Sequence, residues 1–128
     1  MIRVEHIDHV AIAVADIVRS EVWYRDVLGL ERRFEEVWDG PPVMMCAGDT
    51  CVALFPTETD EPEPAPGRNA IAMRHVAFVV DRANFERAQA ELPAEGVELR
   101  FADHGVSHSV YLADPDGHEI ELTTYDLG

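Results

Sequence analysis

Three residues with metal-ligating side chains occupy matched places in a sequence that repeats itself. A nearly identical segment occurs twice, as "DHVAIAV" and as "RHVAFVV", and its second residue is His9 in one copy and His75 in the other. Aligning the two halves also matches Ala53 in "VALFPTE" with Glu121 in "IELTTYD". Two imidazoles and one carboxylate are the ligands with which non-haem Fe(II) oxygenases hold one face of a metal, leaving the other positions open for substrate.

The elements that must position these residues follow the same order in both halves. Each half opens with a short apolar strand, continues with an amphipathic helix and ends with three further strands. We expect Asp16 to cap the first helix and Gly29 to end it. Asp81 or Asn84 is expected to cap the second helix, and Pro93 is expected to fray its last turn. The pattern therefore predicts an α+β fold built from two βαβββ modules.

An acidic, proline-rich segment separates the two modules. The sequence "TETDEPEPAPGRN" has no apolar periodicity, which favours a stiff, solvated connector. We therefore expect one domain with module one at 1–56, a linker at 57–69 and module two at 70–128.

Composition narrows the classes of partner. The net charge of −15 disfavours nucleic acid and anionic membrane surfaces, because a polyanion would be repelled. No apolar run approaches the ~20 residues that a membrane-spanning helix requires. We expect a cytoplasmic protein that acts on a small molecule, and in that compartment Cys46 and Cys51 are expected to be reduced rather than joined across a turn.

The paired modules, the histidine that opens each one and the segment "DPDGHEIEL" near the C-terminus resemble the vicinal oxygen chelate superfamily. The resemblance covers essentially the whole chain. It implies curved mixed sheets around a shared cleft, with a divalent metal held by His9, His75 and Glu121 and with Ala53 at an empty fourth ligand position. Fe(II) or Mn(II) is favoured, Zn(II) or Ni(II) is possible, and a homodimer is expected.

Within that superfamily, extradiol dioxygenases match best. Their ligand Glu is preceded ten residues earlier by a substrate-contacting Tyr, which corresponds to Tyr111, and they often carry a His in a "HGVS" stretch, which corresponds to His104. The resemblance therefore implies catalytic roles for both residues, and His108 is a tentative substrate contact. The acid–base His that these enzymes place near position 50 is absent, because this chain has Thr50 there.

Three alternatives stay open. Fosfomycin-resistance proteins keep the same three ligands, but they usually have a Thr where this chain has Ala11. Glyoxalase I-like isomerases carry a fourth acidic ligand where this chain has Ala53. Drug-binding resistance proteins without catalysis generally lose the ligands and line their cleft with aromatic residues, whereas this chain keeps three ligands and has 8% aromatic residues.

Overall fold

The computed structural model describes residues 1–128 and divides into two compact units, Met1–Glu63 and Pro64–Gly128. Each unit contains one βαβββ module and one four-stranded mixed sheet, which confirms the predicted α+β class and the order of elements. The first unit contains β1 (His9–Val14), α1 (Ile17–Leu28), β2 (Glu31–Arg33), β3 (Val43–Ala47) and β4 (Thr50–Pro56). The second contains β5 (Val76–Val79), α2 (Arg82–Ala94), β6 (Arg100–Asp103), β7 (His108–Ala113) and β8 (Glu119–Thr124).

The sheet of the first unit has the strand order β1-β4-β3-β2. β1 pairs with β4 in parallel, and the remaining neighbours are antiparallel hairpin partners. α1 packs against β3 and β4, and the core on that side buries Val14, Tyr24, Met45 and Leu54. The helix begins and ends where the sequence predicts. The Asp16 side chain accepts a hydrogen bond from the Arg19 amide at 3.0 Å, and Gly29 takes the left-handed conformation with φ 68°.

Cys46 and Cys51 form a disulfide, so the expectation of two reduced thiols was wrong. The two cysteines are direct partners in the β3–β4 register, and only a tight turn separates the strands. Antiparallel pairing brings their side chains to the same face at short range. This local geometry, rather than an assumed reducing compartment, decides whether the two sulfurs can meet.

The sheet of the second unit has the equivalent order β5-β8-β7-β6. α2 buries Phe85, Ala88 and Leu92, and Asp81 is its cap, accepting from the Asn84 amide at 2.8 Å. The helix continues past its proline to Ala94, so the expected early fraying was wrong. The Glu95 amide still bonds a carbonyl of the last turn, that of Glu91, because a proline near the C-terminus removes only its own N–H donor.

The turn "DPDG" leads from β7 into β8 and is held by one side chain. Asp114 Oδ1 accepts hydrogen bonds from the Asp116 and His118 amides at 2.9 and 2.8 Å. The Asp114 amide in turn donates to the His118 carbonyl at 2.9 Å. Asp114 thus bonds local backbone amides, and these bonds fix the start of β8.

None of the helices is both long enough and apolar enough to cross a membrane.

Candidate functional site

The strand register of the second unit places four polar side chains on one face of its sheet. Tyr111 of β7 lies opposite Glu121 of β8, and Ser109 lies opposite Thr123. The two pairs share a face because alternate side chains of a strand point the same way. His75 comes directly before β5, which pairs with β8 on its other side.

Glu121 is the centre of this group. It is only 8% exposed, and its Oε1 lies 2.9 Å from Nε2 of His75. The Ser109 hydroxyl donates to its other oxygen, Oε2, at 2.6 Å. A carboxylate with so little exposure is stable only when it is paired and hydrogen-bonded. These contacts meet that need, and they fix the orientation of the carboxylate.

Tyr111 and His104 extend the same group. The Tyr111 hydroxyl lies 2.9 Å from Nε2 of His104. Burial raises the pKa of Tyr111 above its usual value, and the negative charge and hydrogen bond of Glu121 raise it further, while the Arg100 guanidinium over the ring acts in the opposite direction. The phenol therefore keeps its proton at neutral pH and is a hydrogen-bond donor.

His104 is positioned by a tight turn between β6 and β7. The His104 amide donates to the Ser107 carbonyl at 2.9 Å, and the Gly105 amide donates to the side chain of Asp103 at 2.9 Å. Gly105 has φ 81°, a backbone conformation that favours glycine. The turn places the His104 ring beside Tyr111, with Nε2 at 4.0 Å from Oε2 of Glu121.

The first unit has the same register with different side chains. Ala11 lies opposite Ala53, as Ala77 lies opposite Glu121, which confirms the alignment of the two modules inferred from the sequence. Ala53 is nearly fully buried. It belongs to an apolar cluster made of Met44, Cys46, Cys51 and Ala53. The predicted fourth ligand position is therefore part of a packed apolar surface.

His9 is the first residue of β1 and is half exposed. Its Nδ1 lies 2.7 Å from a carboxylate oxygen of Asp8, a distance typical of a charge-assisted hydrogen bond. An anionic carboxylate only accepts, so the imidazole donates through Nδ1. In a neutral imidazole that donates through Nδ1, the second ring nitrogen, Nε2, has the lone pair.

The structure brings some of the predicted site residues together. His75, Glu121, Tyr111 and His104 form one contact group in the second unit, whereas His9 belongs to the first unit. No group of three or more His, Cys, Asp or Glu side chains stands assembled as a metal centre. The donor types nevertheless suit a divalent metal, because one imidazole and one carboxylate already meet at 2.9 Å.

His108 lies on the other face of its strand. Its Nδ1 accepts from the Arg82 guanidinium at 3.1 Å, and its ring lies near those of Phe85 and Phe101. Tyr111 points to the opposite face, because it lies three residues further along the same strand and alternate residues face opposite sides. The substrate contact assigned to His108 stays a prediction, and the structure places that side chain against α2.

Sequence reasoning missed Ser109, Asp8 and Glu119. Each touches a predicted ligand: Ser109 touches Glu121, Asp8 touches His9, and Glu119 lies 3.7 Å from Nδ1 of His75. A signal was present for two of them, because Asp8 directly precedes His9 and Glu119 stands two residues before Glu121 on the same strand face. The sequence contains no such signal for Ser109, because its contact with Glu121 depends on the register between β7 and β8.

Comparison with known proteins places this chain in a family. The family model of the glyoxalase/bleomycin resistance protein/dioxygenase superfamily matches residues 6–122. The chain belongs to this superfamily. The match includes all of the predicted ligands and every helix and strand except the last two residues of β8.

Three similar proteins show how varied the superfamily is. Glutathione transferase FosA of Serratia marcescens is 29% identical over 92% of this chain and 79% of its own length. Catechol-2,3-dioxygenase of Bacillus subtilis is 28% identical over 91% of this chain, which spans only 40% of that protein's length. The crystal structure of lactoylglutathione lyase from Agrobacterium tumefaciens superposes with a TM-score of 0.71 at 26% identity, covering 93% of this chain and 92% of that one.

Proposed function

We propose that this chain is a divalent-metal-dependent enzyme that holds a small substrate through two neighbouring oxygen atoms, with extradiol dioxygenase-like ring cleavage as its reaction. The observation that supports this most directly is the contact of Tyr111 with His104 at 2.9 Å, beside Glu121. A phenol and an imidazole next to a proposed carboxylate ligand can donate hydrogen bonds and exchange protons with a bound catechol. The similarity to a catechol dioxygenase agrees with the proposal.

His9, His75 and Glu121 are the proposed ligands, and Fe(II) or Mn(II) is the favoured metal, with Zn(II) or Ni(II) as alternatives. When bound, the metal supplies Lewis acidity that holds and polarises the two substrate oxygens. The protein's part is to present the ligands in a fixed form. Ser109 contributes by donating to one oxygen of Glu121 and so setting the direction of the other.

Tyr111 and His104 are the proposed catalytic residues. The protonated Tyr111 hydroxyl can donate to a substrate oxygen on which negative charge develops, and such a donor matters most in a site that excludes water. The His104 imidazole can take up and return a proton within hydrogen-bond reach of that hydroxyl. In this proposal His104 performs the acid–base role for which the chain has no histidine at Thr50.

The test of ring cleavage is oxygen consumption. Protein loaded anaerobically with Fe(II) is mixed with a panel of catechols, and O₂ uptake is followed with an electrode while absorbance reports the ring-opened product. We expect uptake that depends on both metal and substrate. Protein with a full complement of Fe(II) that consumes no O₂ with any catechol would rule this reaction out.

Metal-assisted addition of a thiol to an electrophile is the second candidate, because the transferase relatives resemble this chain over most of their own length. The chain spans 79% of glutathione transferase FosA and 80% of metallothiol transferase FosB of Staphylococcus saprophyticus. Loss of glutathione thiol in the presence of Mn(II) protein and a small epoxide is the measurement. Thiol consumption without O₂ uptake would select this reaction over ring cleavage.

The metal content of the purified protein distinguishes both proposed enzyme activities from a drug-binding protein that catalyses no reaction. A purified binding protein should carry no metal above background and should bind an apolar drug directly. The proposed enzyme should instead contain about one metal ion per chain. The expected homodimer and cytoplasmic location stay predictions, to be measured by light scattering and by cell fractionation.

A further inference from the structure

Both of the proposed histidine ligands have a carboxylate near the ring nitrogen Nδ1. Asp8 lies 2.7 Å from Nδ1 of His9, and Glu119 lies 3.7 Å from Nδ1 of His75. The two carboxylates are at different places in the chain. Asp8 precedes its histidine directly, whereas Glu119 belongs to the neighbouring strand β8, one residue before Ile120, the partner of Val76 at the start of β5.

A neutral imidazole has one proton and one lone pair, and a metal needs the lone pair. A carboxylate at Nδ1 keeps the proton on that nitrogen, because an anion accepts and cannot donate. Nε2 is then the nitrogen that can bind a metal, and a carboxylate partner also makes the imidazole a stronger ligand. The contact between Asp8 and His9 meets the distance criterion for such a hydrogen bond.

His75 stands between two carboxylates, which makes its case different. Its Nε2 lies 2.9 Å from Glu121, so the Nε2 proton is shared with that oxygen. Donating the Nε2 lone pair to a metal requires the proton to be on Nδ1, where Glu119 is the only carboxylate. His9 therefore already has the Nδ1–H tautomer that can bind a metal through Nε2. His75 must first move its proton from Nε2 to Nδ1.

Glu119 is itself held in place by positive charge. Arg68 lies 3.5 Å from its Oε2, and Arg100 lies 3.8 Å from its Oε1. Two guanidiniums beside one carboxylate restrict its movement. Asp8 has no such anchor and is mostly exposed, so its hydrogen bond to His9 contributes little to stability. Removing either carboxylate should therefore leave the fold intact.

We propose that Asp8 and Glu119 are positioning residues: Asp8 holds the Nδ1–H tautomer of His9, and Glu119 stabilises that tautomer of His75 once its Nε2 proton has moved, so that Nε2 is the metal-binding atom of each histidine. The proposal deepens the proposed function and rests on its ligand set. Neither carboxylate would touch the metal or the substrate. Asp8 acts before metal binds, and Glu119 acts when the proton of His75 moves.

The first experiment reads the tautomers directly. Long-range ¹H–¹⁵N correlation spectra of the metal-free full chain, in mildly basic buffer, distinguish the protonated from the unprotonated nitrogen of each imidazole. We expect the Nδ1–H form for His9 in the wild type and a shift toward Nε2–H in Asp8→Ala. A His9 that is already in the Nε2–H form in the wild type would overturn the proposal.

The second experiment measures metal affinity by calorimetric titration with Mn(II). Asp8→Ala should weaken binding by about 10- to 100-fold, the usual effect of losing a carboxylate behind a ligand histidine. Glu119→Ala should weaken it toward the lower end of that range, because the carboxylate lies farther from its histidine. Asp8→Asn and Glu119→Gln, which keep an oxygen acceptor, should recover part of the loss.

Asp26→Asn is the control. Asp26 is an exposed carboxylate whose Oδ1 lies 3.1 Å from Nε of Arg25, and it has no contact with a proposed ligand or catalytic residue. This variant should bind Mn(II) like the wild type. If Asp8→Ala and Glu119→Ala also bind Mn(II) like the wild type, the positioning role is overturned while the metal site stands. A wild type that binds no Mn(II) overturns both.

Discussion

Equivalent faces of the two sheets carry opposite kinds of side chain. In module one the register positions hold Met44, Cys46, Cys51 and Ala53, which are all buried and apolar. The corresponding positions of module two hold Tyr111, Ala113, Glu119 and Glu121. Strand order, register and the helix behind the sheet are the same in both.

The comparison separates what the backbone supplies from what the side chains supply. The βαβββ frame can carry either a packed apolar face or a group of ionisable residues, so the chemistry belongs to the residues placed on it. It also explains why the repeat in the sequence is strongest at the first strand and weakest at the last. A histidine stands at the start of β1 and directly before β5, whereas the closing strands differ, with Ala53 in one and Glu121 in the other.

The largest effect on metal binding is expected when one residue of module two is replaced by its counterpart in module one. Glu121→Ala places in β8 the residue that β4 has at the equivalent register. Binding of Mn(II), measured by calorimetry, should fall by more than about 100-fold, because loss of an outer partner alone costs about 10- to 100-fold. Unchanged Mn(II) affinity in this variant would mean that the metal, if bound, is held elsewhere. Glu98→Ala, an exposed acid without a site contact, serves as the control.

Tyr111→Phe is a smaller change to the polar face of module two, because it removes one hydroxyl and keeps the ring. We expect kcat to fall by about 10- to 1000-fold, the scale for losing a donor that stabilises developing charge. Mn(II) or Fe(II) loading should be unchanged, because the hydroxyl is not a proposed ligand. Equal loss of metal and of turnover would instead assign Tyr111 a structural role.

Ala53→Glu attempts the reverse change, giving module one the carboxylate of module two. The new side chain would enter an apolar cluster with no hydrogen-bond donor prepared for it, so urea denaturation should show a loss of about 3 kcal/mol in the free energy of unfolding. Ala11→Glu, at the exposed partner position on β1, should cost much less. Tighter metal binding by Ala53→Glu without loss of stability would show that the face is open to the site.

The disulfide should matter least to function. The loop that joins Cys46 to Cys51 is short, and closing a loop of this length stabilises a fold by about 2 kcal/mol. Reducing the bond, or replacing both residues by Ser, should lower the free energy of unfolding by up to that amount and leave Mn(II) affinity unchanged. A large change in Mn(II) affinity would link the apolar face of module one to the metal site.

The sequence predicted the frame better than it predicted the contacts. The repeat was enough to align His9 with His75 and Ala53 with Glu121, because register in a sheet follows from alternation and from turn length. It was not enough to find Ser109 behind Glu121, since that contact depends on which residues of β7 and β8 face each other. The pairing of Cys46 with Cys51 was missed for a different reason, because an assumption about compartment was given more weight than turn geometry.

The turn that Asp114 holds has a consequence for how this chain can change over evolution. Hairpin loops are usually where proteins accept inserted or deleted residues. Here the turn sets the phase of β8, and a slip of one residue would exchange its two faces. Ile120 and Leu122 would then point into the polar group, and Glu121 would point toward the core beneath α2. This hairpin should therefore accept changes in length far less readily than an ordinary surface loop does.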